Sequence, residues 1–571
     1  MTSDHQLKNI IRKEKEGLEK RRAILSLPAE QAMNAILDSD QPAGLVQSFS
    51  EEDFYFLVQD IGPEEALPIL SLAASKQWEY ILDLEIWRKD RIDLKALSRW
   101  LGLLFGADKN RLVRWLLAEK AEFLEYYLFK HIHVRIREHD EDPSDFDDRY
   151  YTIDDIYYFR LLNEQENESP FQVEQALLEY LAGLDHLTYQ AVLLESTSIS
   201  PAEFEEESYR LRNVRLSEKG FVPFDDAISI YAPMTLEALR RHGRKVIPKG
   251  IFEEEPSLFL PPVFVTAKKE AGYFTDALAI IEQGEALQNI QLEFASLLNT
   301  LISADQEPVR EREHLGKIIK KAVSYLSISL ELLSGEKGEN LTKGAALIQA
   351  YPLSHLFRLG YGRAMALRFR AVKWIQNSWF KSKGLPLSFW EERLTGVIGG
   401  LLVSRPLFFD NYETGVLYRE FETLADIEKT EQCMEEIIIL DKLLSLMTMD
   451  LALFPDPHLS YNRLMLTLFA ASRAGIEPLR PLTPDEIKGF FAALWVAEGE
   501  ASNGPGKIKE EAKTDFLSWL SGQTGLAPFE ISDAMGKILE AMFQTLEDEY
   551  GRVPPQELEP RFVDLIYGTR S

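Results

Sequence analysis

Residues 131–156 read HIHVRIREHDEDPSDFDDRYYTIDDI, which sets three of the nine histidines beside nine carboxylates between Glu138 and Asp155. Histidine and carboxylate together are ligands of divalent cations, so metal binding is the first chemistry to weigh. A helix-loop-helix calcium loop needs oxygen ligands at positions 1, 3 and 5, glycine at 6 and glutamate at 12. Counted from Asp140, those places hold Asp140, Asp142 and Ser144, then Asp145 for the glycine and Tyr151 for the glutamate. The calcium loop fails. A transition metal is a closer fit. His131 and His133 alternate with Ile132 and Val134, and on a strand both imidazoles leave one face about 7 Å apart. Arg135 and Arg137 continue that face and would repel a dication. His131 and His133 therefore stand as candidate metal ligands, while the alternation as a whole favours a β-hairpin. Its strands are 131–138 and the region near 150–162, joined by an acidic, solvated loop with Pro143.

A second cluster has the opposite sign. Between Asn340 and Trp390 there is no aspartate or glutamate, while Lys343, Arg358, Arg363, Arg368, Arg370, Lys373, Lys381 and Lys383 are all positive. Phe357, Tyr361, Phe369, Trp374 and Trp379 are interleaved. Such a run invites a nucleic-acid or phosphate reading, with Arg363 and Arg370 as the phospholigand candidates. Helical geometry points to burial instead. At about 100° per residue, Leu353, Phe357, Gly360, Ala364, Leu367, Ala371, Ile375 and Ser378 form one stripe whose small members permit close packing. The basic residues spread over the remaining circumference, with Met365 and Phe369 opposite the stripe. The pattern predicts a surrounded central helix whose arginines pair with carboxylates on its neighbours.

Standard catalytic spacings are missing. The nearest approach to a phosphate-binding glycine loop, Gly499 to Gly504, continues with Pro505 where lysine is required. No H-E-x-x-H or G-x-S-x-G stretch occurs. A carboxylate-bridged di-iron bundle needs two Glu-x-x-His pairs, and only Glu311 with His314 qualifies, on what reads as a solvated helix face. Cys433 is the single cysteine, so no intrachain disulfide forms, and its helical setting without a nearby histidine marks it as inert. No cofactor signature is present, and none is expected.

The elements that must carry these residues are helical. Between about 26 and 100, Ser26-Leu27-Pro28, Phe49-Ser50-Glu51 and Gly62-Pro63-Glu64 each open a short apolar periodic run. Ser50 suits an N-cap, Pro28 and Pro63 suit first-turn positions, and Phe49 with Phe54 has the spacing of a hydrophobic staple. Helices this short cannot bury their apolar faces alone, so they must stack as a superhelix. ADKNRLVRWLLAEKAEFLEYYLFK follows as an amphipathic helix. EFEEESYRLRNVRLSEKGFVPFDDAISIY, residues 203–231, reads as helix, stop at Lys219-Gly220, and helix again, with Glu206 and Arg210 as an i,i+4 pair. The proline-rich stretch 246–264 marks a domain joint, and 499–513 a mobile loop. The expected organisation is an N-terminal helix (1–25), a short-helix superhelical domain (26–130), a β-hairpin with helices (131–250), a central helical domain (251–495) and a C-terminal helical unit (496–571). The fold class is mainly α.

Charge and composition narrow the partners. The 571 residues carry a net charge of −29, which repels nucleic acid and anionic lipid, so nucleic-acid binding is disfavoured. No run approaches the length of a membrane span, and MTSDHQLKNIIRKEKEGLEKRR lacks the apolar centre of a signal peptide. With one cysteine, the expectation is a cytoplasmic protein that does not insert into membranes.

Two resemblances add to this. The stretch LVQSFSEEDFYFLVQDIGPEEALPILSLAASKQWEYILD resembles the cytosolic N-terminal superhelical domain of MgtE-type magnesium transporters, which implies a protein-interaction or cation-responsive superhelix. Through RLRNVRLSEKGFVPFDDAISIY, LEFASLLNTLISAD and LSHLFRLGYGRAMALRFRAV, the whole chain resembles a family of large acidic bacterial proteins known only as a domain of unknown function. That resemblance implies a fold and no chemistry. The expected function is a protein-protein interaction scaffold, adaptor or regulator. A divalent-cation-responsive regulator and an enzyme with an unrecognised site in the central helical domain are the alternatives.

Overall fold

A computed structural model describes residues 17, 19–21, 23–143, 146–162, 173–245, 270–282, 284–305, 312–335, 340–454, 458–476, 480–495, 506–554 and 557–568. The joint at 246–264, most of the expected N-terminal helix, residues 499–505 of the loop at 499–513, and Glu311 lie outside the described residues.

The chain is mainly α, with small strand pairs only. Five short helices open it: α1 (Ala29–Leu37), α2 (Pro42–Gln47), α3 (Glu51–Ile61), α4 (Leu67–Leu72) and α5 (Ser75–Glu85). Ser50 caps α3 by accepting a hydrogen bond from the Asp53 amide at 3.1 Å, and Phe49 and Phe54 are both buried, as their spacing predicts. Pro63 differs from expectation. Gly62 takes φ 101, residues 63–66 form a turn, and α4 begins only at Leu67, with Pro68 in its first turn. A two-residue hairpin follows, β1 (Trp87–Arg88) with β2 (Arg91–Ile92).

The single amphipathic helix read from residue 107 onward is two helices. α6 (Leu94–Glu119) has extended backbone at Asp108, whose carboxylate instead accepts from the Arg111 amide at 3.0 Å. α7 (Ala121–His131) starts after Lys120. The hairpin is present and gains a strand: β3 (Ile132–Ile136) pairs antiparallel with β5 (Tyr157–Leu161), and β4 (Tyr151–Thr152) pairs with the far side of β5. α8 (Val173–Leu184), α9 (His186–Ser196) and α10 (Pro201–Glu218) complete the first half. Arg210 on α10 pairs with Glu207, three residues away, rather than with Glu206.

Lys219 and Gly220, the latter at φ 80, end α10 where the sequence predicts a stop. α11 (Phe224–Ala227) and α12 (Leu236–His242) lead on, followed by α13 (Tyr273–Ala279), α14 (Glu285–Asp305), α15 (Arg312–Ser334) and α16 (Leu341–Ala350). The basic central helix is α17 (Leu353–Asn377). α18 (Trp379–Ser382), α19 (Glu391–Leu402) and α20 (Leu424–Leu446) pack on it, and the β6 (Phe408–Phe409) and β7 (Tyr418–Arg419) pair adjoins α19. α21 (Tyr461–Arg473), α22 (Pro484–Leu494), α23 (Glu510–Thr524) and α24 (Pro528–Tyr550) follow, and the described chain ends in a 3-10 turn (Pro560–Phe562) and a bridge from Gly568 to Leu482.

Apolar packing gathers into two clusters. The first runs from Ile24 to Leu216, the second from Ala227 to Ile566, and Phe56 packs against both. The stripe predicted on α17 is the buried one, with Leu353, Phe357, Gly360, Ala364, Leu367 and Ala371 all in the second cluster's interior. A Cβ on Gly360 would sit 2.1 Å from the Tyr325 carbonyl oxygen of α15, so only glycine allows this approach. The helix is not fully surrounded, however: opposite the stripe Met365 packs on the second cluster, but Phe369 is more than half exposed.

A candidate ligand cleft between two helical units

The residues that attracted attention in the sequence are placed apart. His131 is the last residue of α7, not a strand residue, and it is buried. Its Nδ1 lies 2.8 Å from the Tyr127 carbonyl, and its Nε2 lies 3.2 Å from Ser98 Oγ and 3.9 Å from Glu174. His133 stands on β3, exposed, with Nδ1 2.7 Å from the Tyr150 hydroxyl. The helix end at His131 breaks the alternation that would have put both imidazoles on one face. Among the described residues, no three histidine, cysteine, aspartate or glutamate side chains converge as a metal site. In the acidic loop, Glu141 holds Arg135 at 2.5 Å and also accepts from the Glu138 amide.

Arg363 and Arg370 face α20. Arg363 lies 3.9 Å from Glu431, and Arg370 lies 3.7 Å from Glu431 and 3.3 Å from Glu435. Arg358 and Arg368 donate instead to backbone carbonyls, of Ala232 and Val403. Cys433 is buried on α20 near Arg393, and burial pushes its thiol up.

A site the sequence left unnamed lies where the two apolar clusters meet. It is a cleft of about 900 Å³. Its walls come from regularly spaced faces: Glu52, Tyr55 and Phe56 on α3, then Tyr209, Arg212, Asn213 and Leu216 on α10. The third face is Leu292, Ala295, Ser296, Asn299, Ile302 and Ser303 on α14. These spacings of three, four and seven keep each set on one side of its helix. The β1–β2 hairpin supplies Trp87, Arg88 and Lys89, and the start of α6 supplies Asp93, Lys95 and Arg99. The crossover from Lys219 to Phe224 passes along it, tied to the far wall by Asn299, whose amide donates to the Lys219 carbonyl at 3.2 Å.

The polar groups lining it and beside it are held in defined places. Asp93 caps α6, accepting from the Lys95 and Ala96 amides, and takes Arg88 Nε at 2.6 Å. Glu85 is buried and accepts from the Tyr55 hydroxyl at 2.7 Å, Gln59 at 3.2 Å and Trp100 Nε1 at 3.4 Å. Arg215 grips Asp83 with two contacts of 2.7 Å, yet burial still leaves that carboxyl raised. Lys219 meets Glu51 at 2.7 Å and Glu52 at 3.2 Å. Burial works against its charge, but those carboxylates hold the ammonium above the usual lysine value. Arg212 donates Nε to the Asp83 carbonyl at 2.6 Å, and its guanidinium lies 5.7 Å from the Trp87 ring. Burial pulls it below the ordinary arginine value. A sequence signal that could have pointed to this site is the WRKDRI run, a Lys-Asp turn flanked by two arginines.

Among the described residues no helix is long and apolar enough to cross a membrane. No curated protein and no solved structure matches the chain. A family model described as "Family of unknown function (DUF6178)" matches residues 12–568, nearly the full length. The chain therefore belongs to the family of unknown function DUF6178.

Proposed function

We propose that the protein acts by binding, as a cytoplasmic protein-protein interaction scaffold, adaptor or regulator, and that the cleft between its two helical units controls that binding. The observation that carries this is the cleft itself, with walls contributed by both apolar clusters and a crossover, Lys219 to Phe224, running through it. A site at such a junction couples its occupancy to the relative posture of the units, because a ligand there touches both.

The lining supports binding over catalysis. It holds neither histidine nor cysteine, and its carboxylates are occupied: Glu85 by three neutral donors, Asp93 by a helix cap and Arg88, and Glu52 by Lys219. A carboxylate already engaged in this way is a poor general base. The broad helical surface outside the cleft suits protein partners, and α9 illustrates it. Tyr189, Val192 and Leu193 bury one apolar face, while Leu187, Ala191 and Leu194 leave another exposed.

The test is Lys219→Glu in the full-length protein, which turns the Glu51 and Glu52 contacts repulsive. Expected outcomes are a larger radius of gyration in solution scattering and faster hydrogen exchange in 219–231 and 292–303. The set of proteins retained in affinity purification should change with them. If the units loosen and the retained proteins are identical, the adaptor reading fails.

A further inference from the structure

We propose that the inter-unit cleft binds a small phosphorylated ligand with a planar ring, the chemistry of a nucleotide. This rests on the reading of the cleft as the controlled part of the protein and adds what fills it.

Charge is the first argument. The chain as a whole carries −29, yet the cleft is lined by six lysine and arginine side chains against three carboxylates. Arg88, Arg99 and Lys219 are answered by Asp93, Glu64 and the Glu51–Glu52 pair. Lys89 and Arg212 have no carboxylate within ion-pair distance among the described residues. Arg212 spends Nε on the Asp83 carbonyl, which fixes the guanidinium plane, and its Nη2 makes no hydrogen bond among the described residues. A recess with an excess of cations and apolar walls focuses its field on an entering anion, and does so against the repulsion of the acidic surface around it. A multiply charged phosphate chain engages both cations, whereas a monocarboxylate satisfies one.

Backbone strain is the second. The hairpin turn is Lys89-Asp90, and Lys89 takes φ 60, where a tight hairpin ordinarily uses glycine. The register also sets Arg88 directly across from Arg91, a like-charge pair that opposes strand pairing. Neither feature helps the hairpin fold. What they achieve is two cations, Arg88 and Lys89, on one short tip lining the cleft. Local rules broken without a gain in folding are a mark of functional sites.

The third is the apolar half. Trp87 and Tyr209 line the cleft with centroids 5.7 Å apart, and Phe56, Phe221 and Phe224 are half-buried on its walls. Aromatic side chains beside an arginine are how planar bases are held by stacking, with cation–π support. Asn213, Ser296 and Ser303 offer neutral donors and acceptors for a ring edge or a hydroxyl. The volume lies at the upper end of the range for small-ligand sites.

Titration calorimetry on the full-length protein tests this, with ATP, GTP and AMP as probes and pyrophosphate and adenosine as separate arms. A nucleotide is expected to bind with an affinity that falls as salt rises, and pyrophosphate and adenosine at least roughly tenfold more weakly. Lys89→Gly lowers nucleotide affinity roughly tenfold, the loss of one charge-assisted contact. Its melting temperature without nucleotide equals or exceeds the parent's, since glycine relieves the turn. Arg212→Gln weakens binding as well. The proposal is overturned if none of the three nucleotides binds at millimolar concentration, or if pyrophosphate or adenosine binds as tightly as the whole nucleotide. It is equally overturned if Lys89→Gly leaves the affinity unchanged. Absence of nucleotide binding, together with a partner set that still responds to Lys219→Glu, removes the ligand and leaves the adaptor reading intact.

Discussion

Two carboxylates on facing helices, Glu125 of α7 and Glu195 of α9, illustrate how burial sets charge at single residues. Burial, then the hydrogen bond and repulsion from Glu195, push the Glu125 carboxyl up to about 7. Because its folded value is raised, the folded protein keeps a proton that the unfolded chain has released above the ordinary carboxylate value. The stabilisation is complete below that ordinary value and is lost as pH rises through about 7. Solvent reaches this side chain, so the effect is about 1 kcal/mol. Glu125→Gln keeps the hydrogen bond without the charge. It should raise the melting temperature at pH 8 and flatten its fall between pH 5 and 8, and an unchanged pH profile would count against the shared proton.

A deeper case is Lys321, buried between Asp305 at 3.3 Å and Glu420 at 3.1 Å, with its ammonium 4.9 Å from the Tyr231 ring centroid. Tyr231 donates to Asp305 and Tyr325 donates to Glu420, so the carboxylates are satisfied as a set. Arg405 also pairs with Asp305, so Lys321→Met strips from Glu420 its only cation among the described residues and should cost about 3 kcal/mol in urea unfolding. The exposed Lys317–Glu313 pair on the same helix gives the control, since Lys317→Met should change stability by less than about 1 kcal/mol.

At the scale of elements, packing distance decides what periodicity can only suggest. The stripe on α17 was legible because burial repeats every three to four residues, and the side it names is the buried one. That Gly360 in particular is irreplaceable depends on α15, whose Tyr325 carbonyl closes the space a Cβ would need. Gly360→Ala should therefore destabilise by about 3 kcal/mol, the upper range for overpacking, despite alanine's better helix propensity. A stability equal to or above the parent's in urea would mean the two helices part freely. The break at Lys120 was not legible, since the apolar pattern continues across it, whereas the helix read from Ala107 begins where α6 is interrupted at Asp108. His131 was misplaced for a related reason: the alternation that signals a strand begins one residue inside the end of a helix.

The whole molecule is two apolar clusters joined by one short crossover and a polar cleft, an arrangement that favours separable unfolding. Urea unfolding followed by hydrogen exchange should resolve two transitions. Leu104, fully buried in the first cluster, provides the check. Leu104→Ala should lower the first cluster's stability by about 2–5 kcal/mol and leave protection in α17 and α20 unchanged. One common shift in both would show a single cooperative unit. The sequence by itself determined the mainly helical build, the Ser50 cap, the stop at Gly220 and the buried face of α17. Each of these depends on residues within a turn or two of one another, where backbone geometry and side-chain period act directly. Only the tertiary structure decided that Glu52, Trp87, Lys89, Arg212 and Asn299 share a cleft. Those residues are brought together by the burial of two separate cores, and contacts made across such distances in the chain leave no local period to read.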